Sequence, residues 1–180
     1  MTRLKELYKT KVVPELISEF KYQNPMAVPR IQKIVVSMGL GKAAIDKKFM
    51  ELAKKDITMI TGQIPVVCKA RKSVSNFKLR EGMEIGLKVT MRGVRMYEFM
   101  DRLINLAIPR VRDFRGLNTD GFDGRGNYSM GLSEQSVFPE INAAKIEFQQ
   151  GMNITFVTTA KTNDEARKML QFFGMPFKKD

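Results

Sequence analysis

The chain contains no histidine and a single cysteine, Cys68. Without histidine the usual general base is missing, along with the Ser–His and Cys–His nucleophile pairs and the commonest metal ligand. One cysteine makes no internal disulfide and no Cys-rich zinc site, which fits a reducing compartment. No apolar run approaches the roughly 20 residues of a membrane span. The opening residues Met1-Thr2-Arg3-Leu4-Lys5-Glu6-Leu7-Tyr8 mix charged and apolar side chains, unlike a secretory signal. Acid is scarce too: 19 Asp and Glu face 31 Lys and Arg, a net charge of +12. What these absences leave is a soluble, basic protein, expected to be cytoplasmic, that looks more like a binder of anions than a catalyst; no cofactor, no enzymatic activity and no membrane contact are expected.

At 180 residues the expectation is one domain, 1–180. A chain of this length buries roughly 70% of its unfolded surface and holds a core without staples.

The charge is unevenly placed. Residues 1–60 carry 12 basic and 6 acidic side chains, residues 61–120 again 12 and 6, and residues 121–180 carry 7 and 7. The excess therefore lies in the first 120 residues, as an electrostatic footprint for a polyanion would. Its densest part is Lys69-Ala70-Arg71-Lys72-Ser73-Val74-Ser75-Asn76-Phe77-Lys78-Leu79-Arg80, with five cations and no acid. Cations match phosphates, hydroxyls and amides match phosphate or sugar oxygens, and Phe77 offers a face to a base. Gly82 follows as turn chemistry, so the loop is 69–82. A second basic group is Pro109-Arg110-Val111-Arg112-Asp113-Phe114-Arg115. In an extended segment Arg110 and Arg112 share a side and suit phosphate or carboxylate; a network with Asp113 is the equal alternative.

Hydrophobic spacing orders the rest. Leu4, Leu7, Val13, Leu16, Ile17 and Phe20 predict a helix over 3–22, kinked or restarted at Pro14. Residues 31–39 alternate as a strand, with Ile34, Val36 and Met38 on one face and Lys33, Val35 and Ser37 on the other. A helix opened by Asp46 buries Phe49, Ala53, Ile57 and Ile60 and closes at Gly62. Residues 63–69 predict a strand with Ile64, Val66 and Cys68 on the inner side and Gln63, Val67 and Lys69 on the other, where Gln63 and Lys69 belong to the outer polar row. Residues 84–92 alternate, with Ile85, Leu87, Val89 and Met91 opposite Lys88, Thr90 and Arg92. The two strands make a hairpin with the basic loop at its tip.

An amphipathic helix spans 94–108 and ends at Pro109. The glycine-rich stretch 109–150 reads as irregular. A strand at 152–159 turns Met152, Ile154 and Phe156 inward, with Asn153, Thr155 and Thr159 outward. A capping box, Thr162 to Glu165, opens the last helix, which Gly174 ends. The expected fold is α+β: a two-layer domain whose mainly antiparallel sheet of four to five strands has helices on one face and an open polar face.

Other motifs do not reach chemistry. Gly39-Leu40-Gly41-Lys42 lacks the spacing of a P-loop or dinucleotide fingerprint and reads as a tight turn. Asp120-Gly121-Phe122-Asp123-Gly124-Arg125-Gly126-Asn127 lacks the alternating acids of a calcium loop; it reads as a glycine-shaped loop around a buried Arg125. Asp113, Asp120, Asp123 and Glu134 are the acids a magnesium nuclease would need, without a spacing that demands one.

Several long motifs resemble the bacterial large-subunit ribosomal protein L5 family. They are Ile60-Thr61-Gly62-Gln63-Ile64-Pro65, Lys69-Ala70-Arg71-Lys72-Ser73-Val74, Phe77-Lys78-Leu79-Arg80-Glu81-Gly82, Lys88-Val89-Thr90-Met91-Arg92-Gly93, Pro109 to Leu117, Phe122 to Gly131, Phe138-Pro139-Glu140-Ile141 and Pro176-Phe177-Lys178-Lys179. The resemblance covers essentially the whole chain. It implies a structural ribosomal protein that binds 5S rRNA in the central protuberance, beside 23S rRNA and neighbouring large-subunit proteins. It further implies contact with peptidyl-site tRNA through Lys69, Arg71, Lys72, Ser73, Asn76, Lys78 and Arg80. For 5S rRNA it points to Lys33, Ser37, Gln63, Lys88, Thr90 and Arg92; where relatives carry asparagine, this chain has Ser37, with a shorter reach. Arg110 and Arg112 are the candidates for a bridge to a small-subunit head protein. No homo-oligomer is expected. The alternatives are a metal-dependent nuclease and a non-specific basic protein.

Overall fold

The structure is a computed structural model and describes residues 2–41, 47–142, 146 and 148–178. The N-terminal helical stretch shows what its proline does. Helix α1 (Arg3–Leu7) runs through a π turn, Tyr8–Val12, into α2 (Val13–Phe20). Pro14 has no N–H for the carbonyl four residues back, and its ring crowds that carbonyl. The helix widens just before it, and the Val13 N–H reaches Tyr8 O, five residues back.

Strand β1 (Ile31–Gly39) follows, then α3 (Lys47–Thr61), β2 (Val66–Lys69), β3 (Glu84–Met91), α4 (Gly93–Arg102), β4 (Tyr128–Leu132), β5 (Met152–Thr158) and α5 (Asn163–Phe172). The π-turn device repeats after α4. Residues Leu103–Ala107 form a π turn ahead of Pro109, with the Ile108 N–H on Leu103 O. A 3₁₀ turn, Ile108–Arg110, carries the helical path through the proline.

The strands form one five-stranded antiparallel sheet in the order β2-β3-β1-β5-β4, with helices completing an α+β fold. Alternation holds in β1, where Ile34, Val36 and Met38 are buried while Lys33, Val35 and Ser37 are half-buried. It holds in β5 as well, where Met152, Ile154 and Phe156 are buried. Strand β4 lies inside the stretch expected to be irregular. Its Tyr128, Met130 and Leu132 are buried and alternate with exposed Ser129 and Gly131.

Contacts gather into two compact units. The first comprises residues 1–34, 91–130 and 155–180. Here Tyr8 donates its hydroxyl to Pro29 O at 3.0 Å and stacks on Phe173 at 5.9 Å. Phe122, Tyr128 and Phe177 form an aromatic cluster, and burial pushes the Tyr128 phenol up to about 12. Thr162 caps α5 by accepting the Glu165 N–H, and the Glu165 carboxylate accepts the Lys161 N–H in return. The expected capping box is thus closed one residue before the cap.

The second unit comprises residues 35–90 and 131–154. Helix α3 buries Met50, Ala53, Ile57 and Ile60, and Phe49 packs edge-on against Phe148 at 4.8 Å. Gly62, at φ +67°, closes it as expected. The expected opening residue, Asp46, lies outside the described residues. Gln135 is fully buried and satisfied: it donates to Phe148 O at 2.8 Å and accepts the Gln150 N–H at 2.6 Å. Gln150 in turn donates to Gly39 O, tying this segment to the end of β1.

Candidate nucleic-acid interface

The basic loop is a built hairpin in the second unit. Strands β2 and β3 pair antiparallel, with Val66 opposite Lys88, Val67 opposite Leu87 and Cys68 opposite Gly86. A bulge between Cys68 and Lys69 then sets Lys69 opposite Glu84. Gly86 is required by a close approach: a Cβ there would stand 2.9 Å from the Met38 carbonyl oxygen. Beyond the bulge the Ala70 N–H donates to Met83 O and the Gly82 N–H to Ala70 O. Ala70 is buried and forms the root of the loop.

The tip is closed by its own backbone. Val74 and Leu79 form a two-way bridge, with N···O distances of 2.9 and 3.0 Å. Ser75–Phe77 make a 3₁₀ turn, and Lys78 ends it in the left-handed region at φ 51° with its N–H on Ser75 O. The Ser73 hydroxyl accepts the Glu81 N–H at 2.9 Å and so braces the two arms.

Onto this frame the sequence hangs its cations. Lys69, Arg71, Lys72, Lys78 and Arg80 are all exposed, and among the described residues none forms an ion pair. Asn76 is exposed beside them, and Phe77 is 78% exposed at the tip. Solvated cations on a fixed scaffold are ready for an anion, since no internal partner must be broken first.

The remaining candidates are placed less uniformly. Lys88 is exposed and Thr90 half-buried on β3, and Ser37 is half-buried on β1, all in the second unit. Gln63 is not on a strand. Strand β2 begins only at Val66, and Gln63 lies in the connection before it, its backbone held by the Thr61 hydroxyl. The register corrects the faces of this strand: Val67 lies opposite buried Leu87, and Val66 lies opposite exposed Lys88. Ile64 and Val66 are each 69% exposed, because β2 is the edge of the sheet and short.

Lys33 and Arg92 belong to the first unit. Lys33 is half-buried on β1, and exposed Arg92 is the extended residue directly before α4, one past the end of β3, without a side-chain capping bond. Arg110 and Arg112 are exposed, but not on an extended segment: Arg110 closes the 3₁₀ turn and Asp113 is left-handed at φ 51°. Neither arginine pairs with Asp113 among the described residues.

Three of the four acids, Asp120, Asp123 and Glu134, serve local structure. Asp123 accepts the Asn127 amide and the N–H groups of Arg125 and Asn127; these bonds, the Asn127 side chain first, hold its carboxyl below the usual range. Arg125 is exposed, not buried as expected, because this turn needs only its backbone. Asp120 accepts the Asn118 amide, and Glu134 accepts the Ser136 hydroxyl. Among the described residues no three of His, Cys, Asp or Glu are grouped to hold a metal ion. No helix among the described residues is long and apolar enough to cross a membrane.

Comparison with known proteins bears on this surface. The C-terminal part of the ribosomal L5 family matches residues 84–177, and "Ribosomal protein L5" matches residues 24–80. The chain is 57% identical to "Large ribosomal subunit protein uL5" of Alkaliphilus oremlandii (strain OhILAs) over 179 residues, 99% of this chain and 100% of the relative. It is also 57% identical to the protein of the same name from Thermosipho africanus (strain TCF52B), over 98% of this chain and 97% of the relative. The Acholeplasma laidlawii (strain PG-8A) protein of that name is 55% identical over 97% of each.

Proposed function

Since the chain belongs to the ribosomal protein L5 family, a non-catalytic structural constituent of the large ribosomal subunit in the cytoplasm, we propose that it holds 5S rRNA and touches peptidyl-site tRNA. In this reading Lys33, Ser37, Gln63, Lys88, Thr90 and Arg92 are candidate contacts to 5S rRNA. The hairpin residues Lys69, Arg71, Lys72, Ser73, Asn76, Lys78 and Arg80 are candidate contacts to the tRNA. Arg110 and Arg112 are candidates for the small-subunit head protein, and 23S rRNA with its neighbouring proteins completes the surroundings. The whole chain acts as one RNA-binding protein.

One observation carries the division of labour. Four cations, Arg71, Lys72, Lys78 and Arg80, stand exposed and without ion pairs among the described residues on a hairpin that its own backbone closes, beyond the paired part of β2 and β3, and Lys69 stands exposed at the last pair. Charge on such a projection adds phosphate contacts without altering the strands behind it. Ser73 differs from the other hairpin candidates in that its oxygen already accepts a backbone N–H, which leaves its proton for a phosphate. The test is to replace Arg71, Lys72, Lys78 and Arg80 by alanine and measure binding to tRNA and to 5S rRNA separately. Loss of tRNA binding with 5S binding kept supports the reading; equal loss of both overturns it.

A further inference from the structure

Phe77 is 78% exposed, and among the described residues it is the one aromatic ring left mainly in water. The other rings are buried or half-buried; Phe99, Tyr128, Phe138 and Phe156 are wholly enclosed. An exposed ring forgoes the gain of burial, so its placement calls for a partner that covers it.

The backbone fixes where the ring stands. Phe77 ends the 3₁₀ turn with its N–H on Val74 O at 3.3 Å, and the left-handed Lys78 turns the chain directly after it. The Val74–Leu79 bridge closes the loop behind both. A ring on so short a closed turn has little to lose beyond its own two side-chain torsions when it meets a flat partner.

Its neighbours select the partner's chemistry. Lys78 follows it, and Arg71, Lys72 and Arg80 stand exposed on the same hairpin without ion pairs among the described residues. A partner that is anionic and also offers a flat apolar face is a nucleotide whose base is unstacked. A duplex supplies the charge but hides its base faces, whereas loops and single strands display them. A lipid surface would ask for several strongly exposed apolar side chains at the tip, but beside Phe77 only Val74 is apolar and exposed, and only to 37%, while Ser75, Asn76 and Lys78 are polar and exposed.

We infer that Phe77 is a stacking platform for one unpaired RNA base, so that the hairpin selects looped RNA over duplex. The inference rests on the reading of this hairpin as an RNA contact and adds to it a contact that is not electrostatic. Stacking releases no counterion, so its signature is an affinity change at constant salt slope.

The probe is an RNA stem–loop with 2-aminopurine at an unpaired loop position, compared with a fully paired duplex of equal charge. Phe77→Ala, Phe77→Leu and Phe77→Tyr are compared with the unaltered chain, and circular dichroism checks that each folds. The unaltered chain and Phe77→Tyr should quench the fluorophore and prefer the stem–loop. Phe77→Ala and Phe77→Leu should lose the quench and bind the stem–loop roughly 5- to 150-fold more weakly, with the salt slope unchanged. Undiminished binding by Phe77→Ala, Leu serving as well as Tyr, equal losses on both RNAs, or capture of anionic vesicles in preference to the stem–loop would each overturn the inference. The alanine variant at Arg71, Lys72, Lys78 and Arg80 separates the two levels. If it too binds normally, the hairpin is no RNA contact at all; if it alone is weakened, only the stacking assignment fails.

Discussion

Neutralising the hairpin is the sharpest perturbation the structure offers. Arg71, Lys72, Lys78 and Arg80 are exposed, and the loop's hydrogen bonds run through backbone groups, the Ser73 hydroxyl and the Met83 sulfur. Four alanines therefore leave the frame intact and change stability within about 0.5 kcal/mol per site. Each phosphate released flattens the plot of log K against log salt by about 0.7 to 0.9. Four lost contacts flatten it by about 3. Carried from about 1 M salt down to about 0.15 M, that amounts to about 2.5 decades of affinity for tRNA. The assay is filter binding of tRNA and 5S rRNA over a salt series, with urea melts on both proteins. A tRNA slope that stays the same refutes the phosphate contacts. A 5S slope that falls by the same amount refutes the separation of hairpin from sheet.

Two further predictions concern the fold. Gly86→Ala places a Cβ 2.9 Å from the Met38 carbonyl oxygen, a backbone atom that cannot swing away, and should cost about 1–3 kcal/mol. A lower urea midpoint at unchanged m-value checks it; an unchanged midpoint contradicts it. Tyr8 and Tyr128 should make the protein labile to alkali. Burial raises both phenols to about 12, so their stabilising share is full below the unfolded value near 10 and is lost as pH rises through the folded value. Tyr128→Phe gives up the hydroxyl's 2.9 Å bond to Asn118 O and should lose about 0.5–1.5 kcal/mol at neutral pH while its stability declines less between pH 10 and 12. Urea midpoints across that pH range decide it.

The strands that the sequence showed most clearly are β1, β3 and β5, because each pairs a strict apolar row with polar neighbours and lies inside the sheet. The helical stripes of α3, α4 and α5 were equally legible, as were Gly62 and the Thr162 cap. Strand β4 was hidden: Tyr128, Met130 and Leu132 do alternate, but Gly131 and the glycine-rich turn before them read as loop. Strand β2 misled in a different way. Alternation shows which residues share a face, whereas pairing decides which face it is, and the partner register set Val66 beside Lys88. Gln63 lay beyond the strand's start for the same reason of edge position. At the hairpin, composition marked the cations; the bulge at Lys69, the Ser73 brace and the left-handed Lys78 are tertiary and turn geometry with no such pattern in the chain. The aromatic at position 77 was visible from the start, but only the structure shows that nothing in the fold covers it.

The central claim is that this protein recognises a folded RNA and does more than attract phosphate. The direct measurement is a gel shift with 5S rRNA over a salt series, with tRNA and an unrelated folded RNA as competitors. The expected result is 5S binding that both competitors fail to displace at moderate salt, with a slope that counts the phosphates engaged. Equal displacement by all three RNAs, with only the salt slope left, would contradict it and reduce the surface to a generic basic one.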